Sequence, residues 1–348
     1  MTLNNSIISF DIGGTWLRAC LLDEKGEIRF HSKKPSINYL NNPSLTATIL
    51  QSRLVEYIIS EVGIISKSNG TQVDTVVISM GAAINGQNGM VLNSGPLWGP
   101  NCEPFDLSSS LKAFMPMISW HVYNDISASL MCHVFKHGYV NKKACLITIS
   151  TGIGMRIYDP HSKSIPCGRE TGLQGEIGHL PTNFNFFGKL LDLKCDCGGS
   201  NHLNAFSSGR GVENILKKIS RNMIDCSGSS LKWPVTLPEL KNGLDNEDQL
   251  SNQIIAMIVK PITDSILWIL TIDPLIDVIF ITGGLYEYLN KYYSSELMQQ
   301  LEFVGLYQTS EYHPSFFKDK LLFSDSVQNA GLLGASYCWL TKEQIKVY

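Results

Sequence analysis

Glu176, His179, Cys195, Cys197 and His202 all fall within residues 175–211, the densest collection of metal-ligating and acid-base side chains in the chain. Thiolates and imidazoles are the ligands of structural zinc, which takes four of them in a tetrahedron. Taken alone, the stretch suggests a structural zinc beside a polar ligand site. What that ligand site does depends on the glycine-rich stretches on either side of it.

The first of these opens the chain. An apolar strand at residues 6–10 runs into Asp11, Gly13, Gly14 and Thr15, and a second strand follows at 17–22. Strand, Gly-Gly-Thr turn and antiparallel strand make a hairpin, not the strand-to-helix turn of a dinucleotide fold. Its chemistry suits phosphate: the glycines let backbone N–H groups approach phosphate oxygens, Thr15 adds a hydroxyl, and Asp11 can hold a hydrated Mg²⁺. A plain turn would need neither the aspartate nor the threonine. Residues 143–150 repeat the pattern, leading through Thr151, Gly152 and Gly154 into a strand at 155–158. Two such hairpins in one chain suggest two related lobes serving one phosphate chain. A third glycine pair, Gly283 and Gly284, ends an apolar strand at 278–282 and fits a surface against which an adenosine could lie.

Between the hairpins, a helix with apolar residues at Leu45, Ile49, Leu54, Ile58 and Ile59 precedes a strand at 75–80 that opens into Gly81. Residues 81–98, rich in Gly and Asn and including Asn93, read as loops and a short hairpin over a cleft. A strand at 118–122 then delivers Asn124 and Asp125 at its carboxyl end, where open α/β sheets place their ligands. Asp125 stands where a general base belongs; an N-capping aspartate would look the same. Residues 227–249 read as a loop with one short helix. An apolar helix at 253–270 carries Pro261, which is expected to break or kink it, and residues 329–339 form a closing helix.

Length and composition bound the rest. A chain of 348 residues exceeds what one core usually supports, so two lobes are expected. The boundaries are a smaller lobe at 1–125, with the C-terminal helix 326–348 packed on it, and a larger one at 126–325 holding the segment 175–211. A net charge of -3 with scattered Lys and Arg gives no footprint for nucleic acid. No basic and apolar leader opens the sequence, and the apolar run 265–272 is too short to span a bilayer, so a cytoplasmic protein without membrane contact is expected. Nine cysteines, an odd and irregularly spaced set, argue against a disulfide framework. Cys20, Cys132, Cys145 and Cys338 read as buried small hydrophobes.

Together these residues resemble the ROK family of sugar kinases, which includes glucokinase, N-acetylmannosamine kinase and C7-cyclitol kinase branches. DIGGT at Asp11 to Thr15 looks like the family's first phosphate motif, Asn124-Asp125 like its catalytic pair, and STGIG ending at Gly154 like its second phosphate motif. GEIGH at Gly175 to His179 looks like its sugar and zinc motif, and CDCGG with the following SGRG like its cysteine-rich signature. The resemblance covers nearly the whole chain. It implies a two-lobed actin-like, hexokinase-like α/β ATPase fold with ribonuclease H-like lobes and an active-site cleft between them. It also implies ATP and Mg²⁺, a small-molecule acceptor, a homodimer, and phosphorylation of a hydroxyl of a hexose-like sugar, amino sugar or cyclitol. Asp125 would take the hydroxyl proton; Gly81, Asn93, Asn124, Glu176, His179 and Asn204 would bind the acceptor.

The sequence departs from the family pattern at several positions. His202 stands where a third cysteine is expected, leaving a Cys₂His₂ zinc site of His179, Cys195, Cys197 and His202. Asn204 replaces a glutamate that contacts the sugar near its anomeric end, and Met155 and Arg156 replace glycines, bringing a cation near the phosphates or crowding them. Glucose is therefore a doubtful acceptor, and an N-acyl amino sugar or a carbocyclic cyclitol fits better. The longer gap from His179 to Cys195 holds Phe184, Phe186 and Phe187, read as loop packing. The family also includes transcriptional regulators, but only ten residues precede Asp11, too few for a DNA-binding domain there. A catalytically impaired sugar-binding protein is the other alternative, disfavoured by the retained Asp11, Gly13, Gly14, Thr15, Asn124 and Asp125.

Overall fold

A computed structural model describes residues 6–345, apart from 86–87, 100–101, 169, 184, 187–188, 222–234 and 326. The chain forms two compact units. One comprises Met1–Asn141, Arg156–Gln174 and Val327–Tyr348; the other comprises Lys142–Met155 and Gly175–Ser326.

The first unit is built on a five-stranded sheet. Its strands are β1 (Ile7–Ile12), β2 (Trp16–Leu22), β3 (Ile28–Pro35), β4 (Thr75–Met80) and, after the small hairpin of β5 (Ala83–Ile84) and β6 (Val91–Asn93), β7 (Ser119–Asn124). The order is β3-β2-β1-β4-β7. β1, β2 and β3 pair antiparallel, whereas β1, β4 and β7 run parallel. Parallel strands buried on both faces read as continuous apolar runs, which β1 and β4 do. The edge strand β3 is largely exposed and carries Lys33 and Lys34, charges that discourage further pairing.

The helix Ala47–Asn69 supplies the core. Thr46 caps its start by accepting from the Ile49 N–H, and Gly70 ends it at φ 59°. Leu50, Leu54, Ile58, Val62 and Ile65, spaced three or four apart, bury one stripe of it in the cluster with Ile8, Phe10, Val76 and Ile78. The C-terminal helix Ala330–Ile345 packs on β1, β4 and the helix Asp125–Lys136. Register then lines up the carboxyl ends of the parallel strands: Ile12 pairs with Met80, and Met80 with Asn124. Asp11, Gly81 and Asp125 are therefore delivered along one edge of the sheet.

The second unit contains β8 (Ala144–Ile149), β9 (Ile153–Tyr158), the two-residue strands β10 (Asn185–Phe186) and β11 (Lys189–Leu190), β12 (Val278–Thr282) and β13 (Leu321–Phe323). Four of them form a sheet in the order β13-β12-β8-β9, with the unit boundary falling inside β9. β12 runs parallel to β8 and β13, and Thr282 pairs with Thr148, so the turns after both strands lie along one edge.

The helix Gln249–Ile272 is the core helix of this unit. It runs unbroken through Pro261, so of the expected break or kink the break does not occur. The ring removes only the bond from residue 261 to the Met257 carbonyl, and packing against the helices Lys291–Val304, Leu203–Ser207 and Leu237–Asp245 holds both halves. This helix is long and apolar enough to cross a membrane, but 61% of its most apolar window is buried inside the protein. Residues 222–234 of the expected loop and the side chains of Phe184, Phe186 and Phe187 lie outside the described residues. Cys20, Cys132, Cys145 and Cys338 are buried and unbridged, and burial pushes the Cys20 thiol up to about 12.

Candidate active site

In the first unit the turn after β1 is closed by the Gly13 N–H donating to the Trp16 carbonyl at 3.0 Å. The Gly14 carbonyl accepts from Asn38 Nδ2 and the Thr15 carbonyl from the Ser36 N–H, which fixes the turn while the Thr15 side chain stays exposed. Asp11 sits directly across the hairpin from Arg18, whose Nη1 donates to Oδ2 at 2.7 Å. Burial raises the Asp11 pKa, and the hydrogen bond and charge of Arg18 act against that rise. The helix Ala330–Ile345 starts hard against this carboxylate: a Cβ on Gly331 would lie 2.4 Å from Asp11 Oδ1, so the position needs glycine.

Asn124, not Asp125, caps the helix Asp125–Lys136. Its Oδ1 accepts from the N–H groups of Ile126 and Ser127 at 3.0 and 3.1 Å. Its Nδ2 donates to the Ala82 carbonyl at 2.9 Å and to Asp125 Oδ1 at 3.1 Å. Asp125 Oδ1 also accepts from the Ile126 N–H, at 2.9 Å, while its Oδ2 lies over Gly81, 3.4 Å from where a Cβ would be. Solvent reaches Asp125, yet protein surrounds it on most sides. Burial, then the negative charge of Asp11, raises its carboxyl to about 6, while the Ile126 N–H and the Arg156 charge pull the other way. Because water still touches the carboxyl, about 6 is a ceiling for that rise. Ser94 Oγ donates to the Gly81 carbonyl at 2.9 Å, and the exposed Asn93 accepts from Cys102 Sγ through its Oδ1.

In the second unit the turn after β8 leaves Thr151 and Gly152 exposed, with the Ser150 N–H donating to the Gly152 carbonyl at 2.9 Å, and Gly154 is buried in β9. Gly283, at the end of β12, adopts φ 112°, and a Cβ there would meet Ile149 backbone atoms at 2.6 Å. Only glycine lets the Gly283-Gly284 turn lie this close to the end of β8. Asn204 is tied to the turn between β8 and β9, its Oδ1 accepting from the Ile153 N–H at 2.7 Å and its amide packing on Gly178.

Glu176 and His179 flank the single 3₁₀ turn Ile177–His179, and both are exposed. Residues three apart eclipse in such a turn, so the two side chains leave it on one side. His179, Cys195, Cys197 and His202 come together, with all ligand atoms within 4.8 Å of one another. Cys195 Sγ lies 4.0 Å from His179 Nδ1, and Cys197 Sγ 3.2 Å from His202 Nδ1. Backbone bonds within the loop, Cys195 N–H to the Gly199 carbonyl and Gly198 N–H to the Cys195 carbonyl, hold the two thiols on one side. Two thiols and two imidazoles at this spacing fit a tetrahedral zinc.

The ROK family model matches residues 7–342. The chain belongs to the ROK family. It is 32% identical, over 97% of its length and 94% of the relative's, to a 2-epi-5-epi-valiolone 7-kinase of Actinoplanes sp. (strain ATCC 31044 / CBS 674.73 / SE50/110). Among solved structures it resembles a ROK hexokinase from Thermus thermophilus, with TM-score 0.72 and 18% identity over 97% of this chain and 99% of the other. It also resembles a ROK family transcriptional regulator, a homologue of the E. coli MLC protein, with TM-score 0.75 and 18% identity over 98% of this chain and 79% of the other. At that identity the two structures establish the ROK fold, the two-lobed actin-like α/β architecture, and do not choose between kinase and regulator.

Two residues of this ROK protein carry more weight in the structure than their sequence positions suggested. Arg18 is the partner of Asp11, and counting the hairpin register across the Gly-Gly turn would have found it. Arg156 is buried, donates to the Gln174 carbonyl, and lines a cavity of about 80 Å³ with Asn124, Ser127 and Met131. Its placement depends on residues 156–174 returning to the first unit, which no local pattern announces.

Proposed function

We propose that this protein transfers the γ-phosphoryl group of ATP to a hydroxyl of a C7-cyclitol, with Asp125 as general base. It is a carbohydrate kinase of the ROK family. The observation that carries the catalytic reading is the Asn124-Asp125 pair, in which the asparagine caps the helix and Asp125 Oδ1 is held by the Ile126 N–H while its Oδ2 lies over Gly81. Cyclitol as the acceptor class is supported by the full-length likeness to a 2-epi-5-epi-valiolone 7-kinase, and an exocyclic 7-hydroxyl is the position that name indicates. Asn204 adds support. Its side-chain oxygen is committed to the Ile153 N–H, so the position offers no carboxylate to a hemiacetal hydroxyl, a group that a carbocycle need not present.

In the proposed reaction the acceptor oxygen attacks the γ-phosphorus as the bond to the ADP leaving oxygen breaks. The hydroxyl proton passes to Asp125, which releases it to solvent, leaving a phosphomonoester and ADP. The transition state is loose, so Asp125 chiefly orients the hydroxyl and takes its proton late. Gly13, Gly14 and Thr15, with Thr151, Gly152 and Gly154, would hold phosphate oxygens through N–H and hydroxyl groups. Gly283 and Gly284 would lie under the adenosine. Asp11, through water, would hold Mg²⁺, which neutralises phosphate charge when bound. Gly81, Asn93, Asn124, Glu176 and His179 would bind acceptor hydroxyls. His179, Cys195, Cys197 and His202 would hold a zinc that ties the loop in place and performs no chemistry. A cytoplasmic homodimer with no nucleic-acid or membrane partner completes the reading.

The test is a panel of hexoses, N-acetyl hexosamines and cyclitols with ATP, scored by ADP release and by the oxygen that carries phosphate. A cyclitol should give the highest kcat/KM, and Asp125→Asn should keep its fold while losing about 10²- to 10⁴-fold in kcat. Glucose as the best acceptor would overturn the cyclitol assignment. Full activity in Asp125→Asn would overturn the general base.

A further inference from the structure

We infer that Arg18 and Lys33 form a cationic subsite for the β-phosphate of the nucleotide, the phosphate of the leaving group, with Trp16 holding Lys33 in place. The inference deepens the kinase reading and rests on it for the identity of the ligand. Its basis is a row of charged residues across three strands. Register sets Asp11 of β1 directly opposite Arg18 of β2, and Arg18 directly opposite Lys33 of β3. Residues directly opposite each other leave a sheet on the same face, so the three stand side by side, on the hairpin that carries Gly13, Gly14 and Thr15. Trp16 precedes Arg18 by two residues and shares that face. The Lys33 Nζ lies over its ring, 4.0 Å from the centroid, within cation–π reach.

The charges in this row do not balance. Arg18 Nη1 donates to Asp11 Oδ2 at 2.7 Å, which uses one of the five guanidinium N–H donors and leaves the side chain 35% exposed. Lys33 is exposed, and among the described residues its partner is the Trp16 ring and no carboxylate meets it. The next residue shows the contrast. Lys34 points to the other face, where its ammonium meets Glu61 and lies 5.5 Å from the centroid of the Tyr57 ring. One carboxylate thus faces two cations that are cross-strand neighbours. Like charges directly opposite each other destabilise a sheet. Protection of the edge strand needs a lysine on β3, which Lys34 already supplies, and does not need one opposite an arginine.

An anion lying over the pair removes that repulsion. Directly opposite Cβ atoms are roughly 5 Å apart, and both side chains are long enough to converge on the oxygens of one phosphate. A guanidinium fork and an ammonium point charge are the two side-chain devices that bind phosphate. Phosphate is the anion to expect because the turn at the end of the same hairpin is the one read as a phosphate loop, and its Thr15 side chain is exposed.

The sheet order says which phosphate it is. The strands run β3-β2-β1-β4-β7, so Lys33, Arg18, Asp11 and Asp125 follow one another across the sheet, and the subsite is on the side of Asp11 away from the proposed base. Phosphoryl transfer is in line, with the leaving oxygen opposite the attacking one. A phosphoryl group passing to an acceptor at Asp125 therefore leaves ADP on the far side, over Arg18 and Lys33. As the bond to ADP breaks, negative charge grows on the β-phosphate, and the two cations neutralise it.

The experiment measures binding of AMP, ADP and ATP to the full chain by isothermal titration calorimetry, without acceptor or added Mg²⁺, in wild type, Lys33→Met, Arg18→Lys and Lys25→Met. Wild type should bind ADP more tightly than AMP. Lys33→Met should weaken ADP and ATP on the order of tenfold and leave AMP within about twofold. Arg18→Lys keeps a cation for Asp11 but loses the planar fork, and should weaken ADP roughly threefold. Lys25→Met makes the same change in net charge in the turn after β2, at the other end of the hairpin, and should match wild type. An ADP-to-AMP affinity ratio that stays at the wild-type value in Lys33→Met, or that is near one in wild type, would overturn the inference. Lys33 is exposed, so its variant decides the matter even where Arg18→Lys does not fold. Binding is read without turnover: absence of phosphoryl transfer to every acceptor would strike the functional reading and leave the subsite standing, whereas an active kinase with an unchanged ratio would do the reverse.

Discussion

Replacing Gly331 by alanine puts a methyl group where the Asp11 carboxylate stands. The new Cβ would lie 2.4 Å from Asp11 Oδ1, 2.5 Å from Cγ and 3.0 Å from Oδ2, against the roughly 3.5–4.0 Å at which non-bonded heavy atoms settle. The Asp11 backbone cannot yield, because β1 is paired on both sides, to β2 and to β4. The carboxyl must turn away from Arg18, or the C-terminal helix must back off β1 and β4. Overpacking of this kind costs about 1–3 kcal/mol, and alanine returns up to about 1 kcal/mol of helix propensity. The net loss is at most about 2–3 kcal/mol, a fall in Tm of no more than about 10 °C. If Asp11 holds Mg²⁺ as proposed, activity should suffer more, since displacing a catalytic group by about 1 Å can cost on the order of 100-fold. Differential scanning calorimetry and kcat/KM measured across a Mg²⁺ series check both halves, with the Mg²⁺ needed for half-maximal rate expected to rise. Gly63→Ala, on the exposed face of the helix Ala47–Asn69 with nothing within 4 Å of its new Cβ, is the control and should be neutral or slightly stabilising. Wild-type kcat/KM and Mg²⁺ dependence in Gly331→Ala would refute the claim that Asp11 must stand where the structure puts it.

Two further outcomes are expected. Purified protein should carry one zinc per chain by elemental analysis, and Cys197→Ser should lose it together with several degrees of Tm, because the loop then keeps only its backbone bonds; zinc-free wild-type protein of full stability would remove the metal from the account. Asn204→Ala should cost about 1–3 kcal/mol by urea denaturation, since the buried Ile153 N–H loses its acceptor, and an unchanged midpoint would mean that this bond holds nothing.

The strands that carry the proposed site were readable because buried parallel strands are apolar runs, and each ends in a glycine or a small polar residue where the chain leaves the sheet. Residues 75–80 and 278–282 were placed to the residue for that reason. The Asn124-Asp125 edge was located, but the division of labour within it was not, because either side chain can cap a helix and only the observed bonds say that Asn124 does. The break at Pro261 does not occur because its local cost is offset by tertiary packing that no local pattern shows. Arg156 was read as bringing a cation near the phosphates or crowding them; its bond to the Gln174 carbonyl depends on how residues 156–174 fold back and was not legible.

The sheet order explains why an arginine beside Asp11 matters to Asp125 as well. Asp11 and Asp125 stand at the ends of β1 and β7 with β4 between them, so two strand spacings set their backbones roughly 10 Å apart. At an effective dielectric of about 20, two negative charges at that distance repel by roughly 1.7 kcal/mol, about one pKa unit. Burial raises both carboxyls further. In the proposed reaction Asp11 would hold a cation and Asp125 would accept a proton, roles that require both to be ionised near neutral pH. Arg18 holds Asp11 directly, and in doing so it offsets part of the field that Asp11 exerts on Asp125. Removing Arg18 should therefore raise both carboxyls, and an Asp125 titration unchanged in Arg18→Met would mean that the two carboxylates do not feel each other.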